Sequence, residues 1–248
     1  MVKLEMNKEM NLMSKRVVGA CIVGMAMATA IIAAVGSGYT LFGSASYVMP
    51  GNASNRAVQL VSNANTGVFS GIDFAVPASL TINGLNTLST DNNFTAGTCD
   101  LGSPRFGIQL AGFTGTIFVY IGPPPSYTGC PPNVWTNTGN LLTPASFVDS
   151  SQLPGGSFFD TWAAAQARYS GHQVTDIFLV SDNGAGPSFS QTVLIDNTDV
   201  NGTLFTYEPN SKDDCKDGGW QNFTFAPGPF KNQGQCVSFF ASNDHNGH

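Results

Sequence analysis

The sequence predicts an all-β fold, an antiparallel β-sandwich with one short helix and a small C-terminal module, on three observations. Between Ser46 and Pro209, short apolar runs are broken at intervals of roughly 8–12 residues by Gly, Pro, Asn or Asp, the spacing of a sandwich or barrel. Acidic residues beyond position 45 are Asp, with Glu208 the single Glu; Asp serves turns, whereas Glu covers exposed helices. Turn punctuation is explicit at Asn83-Gly84, Asp182-Asn183-Gly184 and Asn201-Gly202, the last joining two strand-like runs as a tight hairpin does.

In chain order, the first element is a targeting segment. Lys15 and Arg16 precede an uncharged apolar run from Val17 to about Val35, followed by the small residues Gly43-Ser44-Ala45. Residues 1–45 therefore read as a signal peptide, with cleavage expected after Ala45, or as an N-terminal membrane anchor. Cys21 lies at the start of the apolar run, where a lipoprotein cysteine would follow it. Residues 46–209 form the sandwich, with strands expected at Arg56–Ser62, Gly71–Val76, Arg105–Leu110, Thr116–Ile121, Val174–Val180, Gln191–Asp196 and Thr203–Tyr207. One helix is expected from a Ser157 cap with Asp160 three residues on, placing Phe158, Trp162, Ala165 and Tyr169 on one face and ending at Gly171. Residues 210–242 form a separate two-cysteine module holding Lys212, Lys216 and Lys231, and residues 243–248 a disordered tail.

Charge narrows the function. Charged residues make up 10% of the chain, and removing the first 45 residues leaves six basic and fourteen acidic side chains, a formal charge of −8. A dispersed, outnumbered set of cations lacks the basic stripe that nucleic acid requires. Contact with a membrane is expected only through the N-terminal segment.

Outside the cytoplasm four cysteines remain: Cys99, Cys130, Cys215 and Cys236. An even number in an exported chain favours disulfides, with three connectivities open and the local pairs Cys99–Cys130 and Cys215–Cys236 expected. A zinc site would call for CxxC pairs or histidines clustered near the cysteines, and the sequence has neither.

Catalytic patterns are sparse, and no catalytic residue is assigned. His172 follows Gly171 in a loop, and no Gly-x-Ser-x-Gly elbow accompanies it. A glycosidase needs two opposed carboxylates, for which Asp160, Asp176, Asp182, Asp196 and Glu208 are the candidates. No cofactor is expected beyond a structural calcium, with Asp91-Asn92-Asn93, Asp182-Asn183, Asp196 to Asp199 and Asp213-Asp214 with Asp217 as candidate stretches, Asp196 and Asp199 foremost. The recognition feature is aromatic. Pro123-Pro124-Pro125-Ser126-Tyr127 leads through Cys130-Pro131-Pro132 to Trp135, a stiff segment presenting Tyr127 and Trp135 to a sugar ring or a partner, unless Trp135 instead begins a buried strand.

Gln191–Tyr207, an alternating strand, an Asp-Asn corner, a Val-Asn-Gly turn and a second strand, resembles the closing hairpin of exported jelly-roll and galactose-binding-like modules. The tail SKDDCKDGGWQNF…FKNQGQCVSFF, with GSPRFGIQL, WTNTGNLL and PGGSFFDTWAAA, is similar to a group of uncharacterised secreted bacterial proteins over roughly residues 50–242. The resemblance implies a jelly-roll-like sandwich exported by a bacterium, in which the sequons at Asn52, Asn93, Asn201 and Asn222 are incidental. Together these readings lead to an exported, non-catalytic binding or surface protein, secreted or on the extracellular face of the envelope. Its expected partner is a polysaccharide or another cell-envelope component. The alternatives are a carbohydrate-active enzyme and a structural envelope protein held by an uncleaved N-terminal helix.

Overall fold

The computed structural model describes residues 38–100, 102–182 and 190–243. The apolar N-terminal run with Cys21, the Asn183-Gly184 half of one expected turn, and His245 and His248 lie outside them. Among the described residues no helix is long and apolar enough to cross a membrane.

Two antiparallel sheets pack face to face. In chain order the strands are β1 (Tyr39–Gly43), β2 (Ser46–Val48), β3 (Ala57–Asn63), β4 (Ser70–Phe74), β5 (Leu88–Ala96), β6 (Arg105–Leu110), β7 (Thr116–Tyr120), β8 (Thr136–Asn137), β9 (Phe147–Val148), β10 (Asp160–Thr161), β11 (Val174–Ser181), β12 (Ser190–Val200) and β13 (Thr203–Phe205). One sheet runs β1-β4-β11-β6-β7 and the other β2-β3-β12-β5-β8, with β13 paired to β12. The chain passes repeatedly from sheet to sheet, so sequence neighbours such as β4 and β5 lie in opposite layers. This is a jelly-roll-like sandwich.

Alternation places the core. In the five-stranded sheet, Tyr39, Phe74, Ile177, Ile108 and Ile117 form one cross-strand row, and Leu41, Ile72, Leu179, Phe106 and Val119 form another. Both rows meet Val58, Leu60, Val193, Ile195 and Phe94 of the facing sheet in one apolar cluster. On the outward rows, Phe42 stands opposite Gly71, and Phe178 opposite Gly107. Each ring lies over its glycine: a Cβ at Gly71 would come within 2.2 Å of Phe42 Cζ, and one at Gly107 within 2.2 Å of Phe178 Cζ. The missing side chain is what lets the ring settle flat on the sheet.

Three elements depart from the sequence expectation. The sandwich begins at Tyr39 rather than at Ser46, because β1 pairs along its length with β4 and Tyr39 sits in the core, its hydroxyl 3.0 Å from that of Tyr47. The helix, α1 (Trp162–Arg168), starts at a Thr161 cap whose Oγ1 accepts the Ala164 N–H, not at Ser157. Asp160 and Thr161 are committed to the β9–β10 ladder, Asp160 is ion-paired with Arg168, and Phe158 turns away to a second aromatic cluster. Trp162, Ala165 and Tyr169 do face the core. The C-terminal module adds a second helix, α2 (Gln233–Asn243).

That module has its own apolar centre of Cys215, Phe223, Phe230, Cys236 and Phe240, closed by the Cys215–Cys236 disulfide. Its first turn is a capping box in which Ser211 and Asp214 satisfy each other's backbone. Polar contacts to the segment before β3 tie it to the sandwich. Asn55 donates through Nδ2 to Glu208 Oε2 and the Ala226 carbonyl, each at 2.8 Å, and accepts the Phe225 N–H at 2.7 Å. Arg56 donates to the Tyr207 and Glu208 carbonyls, pairs with Asp214 at 3.1 Å, and stacks its guanidinium on Tyr47 at 4.0 Å.

Two outcomes follow. Arg56→Ala leaves a cluster of inward acceptors without their donor, so denaturant unfolding is expected to show a loss of about 3 kcal/mol or more, with protease nicking concentrated beyond Pro209. A chain started at Ser46 lacks β1 and the burial of Tyr39, and is expected to be at least about 2 kcal/mol less stable. If the leader is removed on export, intact mass should place the mature start at or before Tyr39. A secreted form beginning at Ser46 with unchanged melting temperature contradicts this.

Candidate functional site

The sandwich is open along one side, where edge strand β7 of one sheet faces edge strand β8 of the other. The chain from Ile121 to Phe147 crosses this opening and leaves a cleft of about 410 Å³ beneath it. Each wall is fixed separately. After β7, the Tyr127 N–H donates to the Pro123 carbonyl at 2.8 Å, closing the proline-rich turn. The Cys99–Cys130 disulfide ties the far end of this turn to the residues just beyond β5, and Thr98 Oγ1 donates to the Cys130 carbonyl. From there the chain runs along β5. The Asn133, Thr138 and Leu141 N–H groups donate to the Phe94, Thr90 and Leu88 carbonyls, and Asn140 Oδ1 accepts from Leu88 and Leu142.

The cleft is lined by aliphatic, aromatic and proline surface, including Val119, Ile121, Pro124 and Phe147, together with the uncharged polar residues Asn92, Asn137, Thr138, Asn140 and Ser146. Phe147 is 44% exposed. Tyr127 also lines it, 4% exposed, held at φ 56 in the left-handed region that a bulky side chain seldom adopts. Its hydroxyl is buried and makes no hydrogen bond among the described residues. Burial, with the nearby negative charge of Asp149, pushes that hydroxyl's pKa up to about 12, so it stays a neutral donor. The neighbouring Tyr120 is satisfied differently, donating to Asp149 Oδ2 at 2.7 Å while its ring lies 4.5 Å from that of Tyr127.

Of the two aromatics singled out in the sequence, the structure brings Tyr127 to the cleft. Trp135 is half-buried just before β8 and is not part of the lining, so it neither faces the cleft nor joins the core. Phe147, Asn92 and Asn137 were not foreseen. Phe147 lies in a two-residue strand, and Asn92 sits in a stretch that reads as a cation-binding loop.

That stretch, Asp91-Asn92-Asn93, is the middle of the nine-residue strand β5. Asp91 stands directly opposite Asp196 of β12, where one extra residue bulges and Asn197 takes φ 46. Amides surround the two carboxylates. Asp91 accepts from the Nδ2 groups of Asn52, Asn197 and Asn137 at 2.7–2.8 Å. Asp196 accepts from Ser54 Oγ and from the Asn52 and Asn197 N–H groups. Burial raises the Asp196 pKa to about 6, Glu208 pushes the same way, and the three donors oppose both. Asp199 is not part of this network. It accepts the Gly202 N–H in the β12–β13 hairpin. Asp196 and Asp199 therefore do not act as a pair, and among the described residues no three acidic, His or Cys side chains gather to hold a metal ion.

The carboxylates considered for catalysis are also dispersed. Asp160 is paired with Arg168 and Asp182 with Arg105, while Glu208 accepts from Asn55. Asp176 does meet another carboxyl, that of Asp73, on the outward face of β11 and β4. Partial burial and the adjoining Asp176 raise the Asp73 pKa from 3.8 to about 7. Neither Asp73 nor Asp176 lines the cleft.

Set beside known proteins, the chain matches no family model and no curated protein. Among solved structures it is similar to the family 11 carbohydrate-binding module of cellulosomal cellulase Lic26A-Cel5E of Clostridium thermocellum. The TM-score is 0.38 and the identity 13%, over 66% of this chain and 85% of that one.

The Asp73–Asp176 pair has a measurable signature. The folded state holds the Asp73 proton to higher pH than the unfolded chain does. Its stabilising contribution is thus complete below about pH 4 and lost as pH rises through about 7, with Asp196 adding a smaller loss up to about 6. Asp73→Asn should raise stability at pH 8 by about 1–2 kcal/mol, less than the full linkage value because the group is half-exposed. An unchanged slope between about pH 6 and about pH 8 in the variant rules out this assignment.

Proposed function

We propose that this chain is an exported, non-catalytic binding protein whose edge cleft takes a segment of carbohydrate from a polysaccharide or cell-envelope polymer. The cleft itself carries the reading. It combines apolar and aromatic surface with fixed amide and hydroxyl groups, the mixture that suits a ring with one apolar face and a rim of hydroxyls. Tyr127 adds ring surface to the lining. Supporting the non-catalytic part, the lining holds no Asp, Glu, His or Lys among the described residues, and its Cys130 is oxidised. Supporting export, both disulfides belong to an oxidising compartment.

Calorimetry or affinity electrophoresis against a polysaccharide panel tests this. Phe147→Ala should weaken binding about tenfold, the worth of one good ring contact. Tyr127→Phe keeps the lining ring and should leave affinity unchanged and thermal stability unchanged or higher, because it deletes a buried hydroxyl that has no hydrogen-bond partner among the described residues. No retention on any polymer, with the fold intact, ends the carbohydrate reading.

A further inference from the structure

We infer that the cleft discriminates by charge, accepting uncharged glycans and rejecting uronate-containing, sulfated or phosphate-bearing ones; this rests on the cleft being a glycan site. No lining residue carries a charge. The cations that could neutralise an acidic sugar are committed elsewhere among the described residues. Arg56, Arg105 and Arg168 are ion-paired with Asp214, Asp182 and Asp160. Lys212, Lys216 and Lys231 belong to the C-terminal module.

What stands behind the walls is negative. Asp149, 5% exposed, is bonded to Tyr120 on the aromatic side, and Asp91, 7% exposed, is bonded to Asn137 on the polar side. Tyr120 and Asn137 both line the cleft, so one hydrogen bond separates each carboxylate from the ligand space. Their negative charge reaches an occupant through a poorly solvated wall, where it is weakly screened. An anionic sugar would leave water without gaining a counter-charge, and would meet two like charges instead. A neutral sugar meets neither penalty, and the Asn137 and Tyr120 dipoles, polarised by their carboxylate partners, remain good hydrogen-bonding groups. Anionic envelope polymers are therefore the wrong partners, and neutral structural or storage-type polysaccharides the right ones.

The full chain is titrated with neutral oligosaccharides, each matched to the uronate of the same backbone and linkage and to a sulfated form. The expected result is binding of at least one neutral member, with its acidic counterparts weaker by at least about tenfold. The neutral affinity should hardly change as salt rises from about 0.05 to about 0.5 M. Pro131→Lys places a cation on an exposed stretch of the lining whose side chain makes no hydrogen bond, and should restore acidic binding in a salt-sensitive way. Acidic members bound as tightly as neutral ones by the unaltered chain, or more tightly, overturn the charge selectivity and leave the glycan site standing. Binding of no member overturns both.

Discussion

Two carboxylates placed opposite one another at the centre of a sheet are the constraint from which much of the molecule follows. Asp91 on β5 and Asp196 on β12 face each other beside a bulge, both nearly inaccessible to solvent. Like charges in directly opposed positions work against strand pairing unless donors surround them. The donors come from three places: Asn52 and Ser54 in the segment before β3, Asn197 in the bulge itself, and Asn137 on β8. Each solves a local electrostatic problem and fixes a distant piece of chain. Asn137 sets the position of the cleft's polar wall. Asn52 and Ser54 immobilise the segment whose next residues, Asn55 and Arg56, hold the C-terminal module.

The cleft is a by-product of finishing the sandwich. A sheet edge exposes unpaired N–H and C=O groups that invite another chain, and short edge strands or covering loops are the usual remedies. Here β8 has two residues, and the chain from Cys130 to Leu142 continues along β5 by single hydrogen bonds, covering an edge without completing a ladder. The other sheet's edge, β7, is covered by the bonds between Phe118 and Asp149 and by the aromatic cluster around Tyr120. The two covers do not meet, and the space between them is the candidate site. Proline, a disulfide and backbone hydrogen bonds hold both covers, so the cleft is formed before anything enters it.

How much of this was legible in the sequence depends on whether the information was local. Strands β3, β4, β6, β7, β11 and β12 carry short apolar runs bounded by turn residues, and those runs are visible to within a few positions. The hairpin at Asn201-Gly202 reads directly because both residues adopt positive φ. Strand β5 does not, since its Leu-Ser-Thr-Asp-Asn-Asn-Phe run looks like a turn. Only the amides brought from other segments make it tolerable inside a sheet. Strand β1 was hidden because the small residues Gly43-Ser44-Ala45 read as a processing site, whereas in the structure they link β1 to β2, the Ala45 N–H donating to the Phe42 carbonyl. Tyr127 was legible because prolines announce a stiff segment. Phe147 and Asn137 were not, because what matters about them is the tertiary position of two-residue strands that no periodicity can signal.

The aromatic rings resting on glycines carry a consequence for substitution along the chain. Phe42 with Gly71, and Phe178 with Gly107, each occupy a volume that can be filled from one side only. Neither member of a pair can change size alone without a collision or a hollow. The two positions of each pair are therefore constrained together although they lie far apart in sequence. At Gly71 the bar is double, since a Cβ there would also come within 2.4 Å of the Leu179 backbone oxygen, so shrinking Phe42 would not by itself free the position for a side chain.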